Sequence, residues 1–246
     1  MTAQKTIIAM WSGPRNISTA MMYAFAARSD CTGLDEPFYG AYLKATGLNH
    51  PMAAEIMAGM ECDAAKVAEA CAMPSSKPVT YQKHMTHHML PGFDRSFIRT
   101  LSNAFLIRAP EKVLASYAKK HDEVSLHAIG FVEQAEIFDS VAQQLGHAPP
   151  VLDADEHLAS PRHCLQLLCH ALGVPFREAM LSWPQGPKTC DGIWAPHWYN
   201  AAWESTSFGA PTPAPASLPN HLQRIAELAQ PYYEKLKAHA LGGVSL

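Results

Sequence analysis

An arginine set in a turn between an apolar run and a hydroxyl-rich helix start can grip an anion. Residues 7–22, Ile-Ile-Ala-Met-Trp-Ser-Gly-Pro-Arg-Asn-Ile-Ser-Thr-Ala-Met-Met, hold that combination. The run Ile7 to Trp11 stops at the turn residues Ser12-Gly13-Pro14. Arg15 follows, then Asn16, Ile17, Ser18 and Thr19, and a helical apolar pattern starts at Ala20. This order predicts a strand, a tight loop and a helix. The free N–H groups and positive dipole end of such a helix form an anion site. The guanidinium adds a fixed charge with planar donors suited to phosphate or sulfate oxygens. The loop has no Gly-Lys pair, so it is not the usual nucleoside triphosphatase loop.

A second segment repeats the plan. Residues 104–117, Ala-Phe-Leu-Ile-Arg-Ala-Pro-Glu-Lys-Val-Leu-Ala-Ser-Tyr, read as a strand ending in Arg108 and a helix with Pro110 in its first turn. Ser116 lies about two helical turns beyond Arg108, so its approach to that site depends on how the helix bends back. An arginine at a strand's carboxyl end marks the edge where open α/β sheets bind ligands.

Together the two segments resemble the sulfotransferases that use 3′-phosphoadenosine 5′-phosphosulfate (PAPS). In that family a Pro-Lys/Arg-Ser-Gly-Thr-Thr loop holds the 5′-phosphosulfate and an Arg-x-Pro-(x)5-Ser segment holds the 3′-phosphate. Pro14, Arg15, Ser18 and Thr19 match the first; Arg108, Pro110 and Ser116 match the second with the family's spacing. Asn16-Ile17 stands where the family usually has Ser-Gly, and Ala20 where many members carry an aromatic residue. A side chain at Ile17 is expected to crowd the amides that cradle the phosphate. The resemblance implies a single α/β domain of the P-loop nucleotide-binding type. It implies that Gly13, Pro14, Arg15, Asn16, Ser18, Thr19, Arg108 and Ser116 hold PAPS as co-substrate, with no metal. Arg15 stands where the catalytic Lys or Arg of the family bridges the leaving phosphate and the sulfuryl oxygens.

The acceptor, a hydroxyl or amine of a small molecule or carbohydrate, needs a base. Two residues compete. Glu36, in Asp35-Glu36-Pro37-Phe38, resembles the Glu-Pro element of carbohydrate-type sulfotransferases. His84, in Lys83-His84-Met85-Thr86-His87-His88-Met89-Leu90-Pro91, resembles the Lys-Thr-His-Leu-Pro strand of cytosolic small-molecule members, with the lysine offset by one position. Strand alternation puts Gln82 and His84 on one face and Lys83 and Met85 on the other, so His84 or Lys83 faces the site, but not both.

Other chemistry is less specific. The histidines at 84, 87 and 88 have no nearby Asp or Cys to complete a zinc set, and His87 and His88 read as acceptor-pocket lining or solvent-facing. Asp153 and Asp155 end a strand in a pattern that suits magnesium ligands; the resemblance implies instead the structural role of the family's similar acidic strand ending, ordering neighbouring loops. Lys188 to Phe208, rich in aromatic residues, reads as a cover. Through Gly192-Ile193-Trp194 it resembles the family segment that closes over the 3′-phosphate, with Lys188 as the nearby cation. Two rival readings stand beside sulfuryl transfer: a kinase or other phosphotransferase, and a degenerate nucleotide-binding protein without turnover.

The elements that must position these groups follow an α/β rhythm. Strands are predicted at 7–11, ending at 34–37, at 78–85, at 103–108 and at 150–154, with a turn at 29–33. Helices are predicted from Ala20, within 38–74, over 125–145, from Ser160-Pro161 to Gly173, and over 220–240 with a kink or break at Pro231. Residues 209–219 form a Pro/Ala tether. Alternating strands and helices predict one domain, 1–246, with a mainly parallel sheet flanked by helices. Of the 246 residues, 48% are hydrophobic and 17% charged, and the net charge is −3, so nothing favours a nucleic-acid partner. No apolar stretch reaches the roughly 20 residues of a membrane span. The start Met-Thr-Ala-Gln-Lys-Thr lacks a signal-peptide core, and six scattered cysteines suit a cytoplasmic protein. A frayed tail is expected over 242–246.

Overall fold

The computed structural model describes residues 5–121 and 123–242; of the tail expected to fray, 243–246 lie outside them. The chain runs β1 (Thr6–Ser12), α1 (Ser18–Ala26), β2 (Cys31–Asp35), α2 (Tyr39–Thr46), α3 (Ala53–Gly59), α4 (Ala64–Cys71) and β3 (Val79–Met85). It continues with β4 (Ser102–Ile107), α5 (Pro110–Tyr117), α6 (Phe131–Leu145), β5 (Val151–Asp153), α7 (Ala154–Ala159) and α8 (Pro161–Ala171). Two short helices, α9 (Ala195–Trp198) and α10 (Asn200–Glu204), precede α11 (Asn220–Lys237). The five strands pair in parallel in the order β2-β3-β1-β4-β5.

β1 is the central strand and is buried on both faces, as its near-continuous apolar run requires. Ile8 and Met10 pack with α1, α8 and the Trp194 region, while Ile7, Ala9 and Trp11 pack with α4, α6 and the end of α11. The chain leaves β1 toward β3 and β2 on one side and later fills β4 and β5 on the other. That reversal opens a crevice at the carboxyl ends of β1, β3 and β4, the usual ligand position in such sheets.

Several boundaries differ from the sequence reading. β2 begins at Cys31, inside the expected turn, because Cys31 to Asp35 pair with Val79 to Lys83 of β3. The helix expected from Ser125 starts at Phe131, after Gly130 takes a left-handed φ of 70°. Residues 38–74 form α2, α3 and α4. α11 runs through Pro231 without a break, its buried residues Ala226, Ala229 and Leu236 holding both halves against the domain. The tether at 209–219 contains neither helix nor strand.

Candidate active site

A cavity of about 380 Å³ lies at the crevice, walled by the loops after β1, β2, β3 and β4 and by residues 194–209. The loop after β1 is strained: Arg15 has φ 64° and Ile17 φ 55°, both in the left-handed region that disfavours a side chain. Ile17 thus adopts the conformation a glycine would take, and it serves as the residue before α1, with no side-chain cap on the first-turn amides. Gly13 stands behind the loop, where a Cβ would lie 2.3 Å from the Ile129 carbonyl oxygen; its contribution is close packing. Asn16 ties the loop to β4 through Nδ2 to the Leu106 carbonyl at 3.2 Å, leaving its buried Oδ1 without a partner. Pro14, Arg15, Ser18 and Thr19 line the cavity.

The two arginines meet here. Arg15 Nε donates to Ser116 Oγ at 2.8 Å, and Arg108 Nη1 donates to the Arg15 carbonyl at 3.0 Å. Arg108 Nη2 donates to Thr212 Oγ1 at 2.8 Å, and its Nε is buried without a partner. Ser116 therefore bends back to the first loop rather than to Arg108. Among the described residues neither guanidinium is paired with a carboxylate. Loss of water contact and the nearby Arg108 charge push the Arg15 guanidinium below its usual value. Two unneutralised cations facing one cavity form an electrostatic site for a polyanion.

Glu36 and Lys83 line the same cavity. Glu36 has φ 38°, an uncommon backbone conformation of the kind stored at functional sites. The bend returns its carboxylate to Lys83, whose Nζ donates to Glu36 Oε1 at 2.6 Å, to Asp35 Oδ1 at 2.8 Å and to the Tyr199 hydroxyl at 2.5 Å. Tyr199 donates in turn to Asp35 Oδ2 at 2.7 Å. Lys83 is only 2% exposed. Burial alone would lower its pKa, but Asp35 and Glu36 reverse that and hold it well above the usual lysine value. Burial raises the Glu36 carboxyl above its ordinary value, against the opposing pull of Lys83. A carboxylate with a raised pKa, open to a cavity, is suited to accept a proton.

His84 does not face this cavity, which corrects its place among the candidate bases. It is 1% exposed, stacks on its β1 neighbour Trp11 at 4.4 Å and bonds Gln82 Oε1 through Nε2 at 2.9 Å. Alternation along β3 put Lys83 on the cavity side and left His84 in the opposite core layer. Burial pushes its pKa down to about 3.

The wall beyond Glu36 is aromatic and rich in histidine. Tyr39, His50, His87, His88, Tyr117, His121, Trp198 and Tyr199 line it. His87 and His88 are thus pocket residues. Tyr39, His50 and Tyr199 were not singled out as site residues from sequence. Of these only Tyr199 carried a signal, lying in the aromatic cluster read as a cover. Lys188 lies instead over the Tyr23 ring, 4.7 Å from its centroid, outside the cavity wall. Asp153 caps α7 through Asp155 N and Glu156 N and accepts from Tyr233, while Asp155 pairs with Lys112, so both act structurally. Among the described residues no cluster of His, Cys, Asp or Glu is arranged to hold a metal, and no helix is long and apolar enough to cross a membrane.

A family model described as a sulfotransferase domain matches residues 5–240. Two Arabidopsis thaliana proteins, branched-chain-amino-acid aminotransferase-like proteins 2 and 1, are each 37% identical to this chain, covering 95% and 99% of it. Those matches take in 42% and 44% of the plant proteins, so the chain spans less than half the length of the curated relatives it matches. Among solved structures, a sulfotransferase from Alicyclobacillus acidocaldarius aligns with a TM-score of 0.54 at 9% identity, over 96% of both chains. The sulfotransferase domain from the Curacin biosynthetic pathway aligns with a TM-score of 0.51 at 15% identity, over 93% of this chain and 99% of that one. At these identities the structural likeness concerns the fold.

Proposed function

This chain belongs to the sulfotransferase-domain family, and we propose that it transfers a sulfuryl group from PAPS to an acceptor small molecule or carbohydrate. The observation that supports the donor is the meeting of Arg15 and Arg108 at one cavity without a carboxylate between them. A nucleotide with phosphates at both 3′ and 5′ supplies negative charge at two places. The uncapped start of α1 and Arg15 would take the 5′ end. Arg108, whose buried Nε lacks a partner, would take the 3′-phosphate, with Ser116 turning from Arg15 Nε to join it.

In the reaction, the acceptor forms a new bond to sulfur while the bond from sulfur to the 5′-phosphate oxygen breaks, its electron pair leaving on the phosphate. Arg15 stabilises charge on the moving group and the leaving oxygen, the kind of preorganised electrostatics that dominates many enzymes. Glu36 accepts the acceptor's proton. Lys83, itself held by Asp35 and Tyr199, keeps Oε1 of that carboxylate occupied and leaves Oε2 for the acceptor.

A kinase reading is less well supported, because the loop has no Gly-Lys pair and Asp153, at the end of β5, and Asp155 are engaged elsewhere. A cytoplasmic setting, expected from the scattered thiols, stays part of the proposal.

The test is thermal stabilisation of the purified chain by adenosine 3′,5′-bisphosphate against ATP, ADP and 5′-AMP. At 100-fold excess over its dissociation constant the bisphosphate should add about 2.7 kcal/mol. Equal stabilisation by ATP would move the reading to phosphoryl transfer. Binding without turnover of PAPS would favour a degenerate binding protein.

A further inference from the structure

We infer that the acceptor is a hydroxyl compound, and that His88 selects it by donating an Nδ1–H hydrogen bond to the attacking oxygen. This rests on the sulfotransferase reading above and sharpens its acceptor class.

The gap between two atoms carries the inference. Glu36 Oε1 is held by Lys83, and Oε2 lies 3.9 Å from His88 Nδ1. That distance is too long for a hydrogen bond, yet one oxygen can stand about 2.8 Å from both atoms. His88 is 3% exposed, and its Nδ1 has no hydrogen-bond partner. A buried polar atom left alone at a cavity wall calls for a ligand atom. The ring cannot turn away easily, because it is stacked between Tyr39 at 4.7 Å and Tyr42 at 4.6 Å. Facing a carboxylate oxygen, the nitrogen is favoured as N–H, since a lone pair there would be repelled. Burial and the neighbouring His87, His50 and Lys83 keep the imidazole uncharged.

Counting electron pairs then separates hydroxyls from amines. A hydroxyl oxygen has two lone pairs. One forms the bond to sulfur, the other accepts from His88 Nδ1–H, and the hydroxyl proton passes to Glu36 Oε2. The bond from sulfur to the 5′-phosphate breaks with its pair leaving on the phosphate, and His88 keeps its proton throughout. A neutral amine has a single lone pair, which attacks sulfur and leaves Nδ1–H unpaired in a buried place. Nδ1 is already unpartnered before the acceptor arrives, so the hydroxyl gains a hydrogen bond that the amine does not, which corresponds to roughly 10- to 100-fold in rate.

The experiment uses phenol and aniline, both uncharged near pH 7.5, as probe acceptors with PAPS. The readout is adenosine bisphosphate formed above the reaction with water. His88→Phe keeps the ring stack and removes the donor; it should lower the phenol rate about 10- to 100-fold and leave aniline little changed. His88→Asn, which keeps an N–H near the Nδ1 position, should recover part of the phenol rate. In parallel, nitrogen-15 NMR of the intact chain with adenosine bisphosphate should show His88 as the neutral Nδ1–H tautomer, assigned by loss of its signals in His88→Phe. A neutral Nε2–H ring, a charged ring, or a phenol-to-aniline ratio unmoved by His88→Phe would overturn the inference. If neither probe reacts, the tautomer decides. Failure of the bisphosphate to stabilise the wild-type chain would instead remove the sulfotransferase reading, and this inference with it.

Discussion

Arg15 Nε and Ser116 Oγ lie 2.8 Å apart, although 101 residues separate them in the chain. The contact ties the loop after β1 to the helix after β4. The Arg108 bond to the Arg15 carbonyl makes a second tie between the same two places. The two arginine-bearing segments are therefore one structural unit. A substitution in either should be felt at the other.

The first prediction concerns that coupling. If Arg15 acts mainly on charge developing in the transition state, Arg15→Ala should lower kcat far more than it weakens adenosine bisphosphate binding. Arg108→Ala should chiefly weaken binding, because the 3′-phosphate does not react. Since Arg108 also holds the Arg15 backbone, the double mutant should depart from additivity by about 0.5–3 kcal/mol in binding. Calorimetric titration and release of bisphosphate from PAPS measure both quantities. Two variants impaired only in binding would take Arg15 off the catalytic residues.

The second prediction isolates the strain at Ile17, whose φ of 55° suits glycine. Ile17→Ala and Ile17→Gly both remove the side chain, and they differ mainly in how they bear a left-handed backbone. Ile17→Gly should be the more stable of the two by about 0.5–1 kcal/mol, the left-handed penalty less glycine's greater entropy loss on folding. Urea unfolding midpoints give the comparison. Ile17→Ala at or above Ile17→Gly would mean that the loop relaxes to a normal φ.

Much of this site could be read from local pattern. Strand, Arg15 and hydroxyls, then strand, Arg108 and Pro110, are contiguous, so the chain itself carries their geometry. Parity along β3 established that Lys83 and His84 oppose each other. Which of them meets the cavity depends on Trp11, a cross-strand neighbour that receives His84 in its own layer. Tyr199 is harder still, since its bond to Lys83 spans 116 residues and no local periodicity encodes it. The same limit applies to β2: its start at Cys31 is set by pairing with Val79 on β3, against the turn propensity of Ser29 to Gly33.

The third prediction follows from buried histidines. Burial lowers His84 and His87 to about 3 and His157 to about 4, from 6.5. The folded state resists protonation at these sites, so their stabilising contribution is complete above pH 6.5 and is lost as pH falls toward 3. The slope is about 1.4 kcal/mol per pH unit for each histidine that stays neutral when folded. Glu36 has the opposite sign: its raised value favours the folded state below the ordinary carboxylate range and weakens it as pH rises. Burial lowers His50 and His88 in the same direction, so the histidines outweigh one carboxyl, and melting temperature should fall steadily from pH 7 to pH 4. His84→Phe, which can keep the stack on Trp11, should make that fall shallower. An unchanged acid slope in His84→Phe would show that His84 titrates normally when folded.

The last prediction tests the base. Glu36 faces the cavity with Oε2, while His84 is sealed in the other core layer. Glu36→Gln keeps the shape but cannot take a proton. It should retain adenosine bisphosphate binding and lose roughly 10²–10⁴-fold in turnover. In the wild-type chain the acid limb of the rate should lie above the ordinary carboxylate value of 4.5, because burial raises Glu36. Activity is lost as pH falls through that raised value, and the limb should vanish in Glu36→Gln. His84→Asn should alter stability and leave the pH profile in place. Lys83→Met separates support from proton transfer, since it leaves Asp35 buried without its cation and should destabilise the fold by about 3–5 kcal/mol. A Glu36→Gln variant with full turnover and an intact acid limb would mean that the acceptor reacts without a protein base, and that positioning alone supplies the rate.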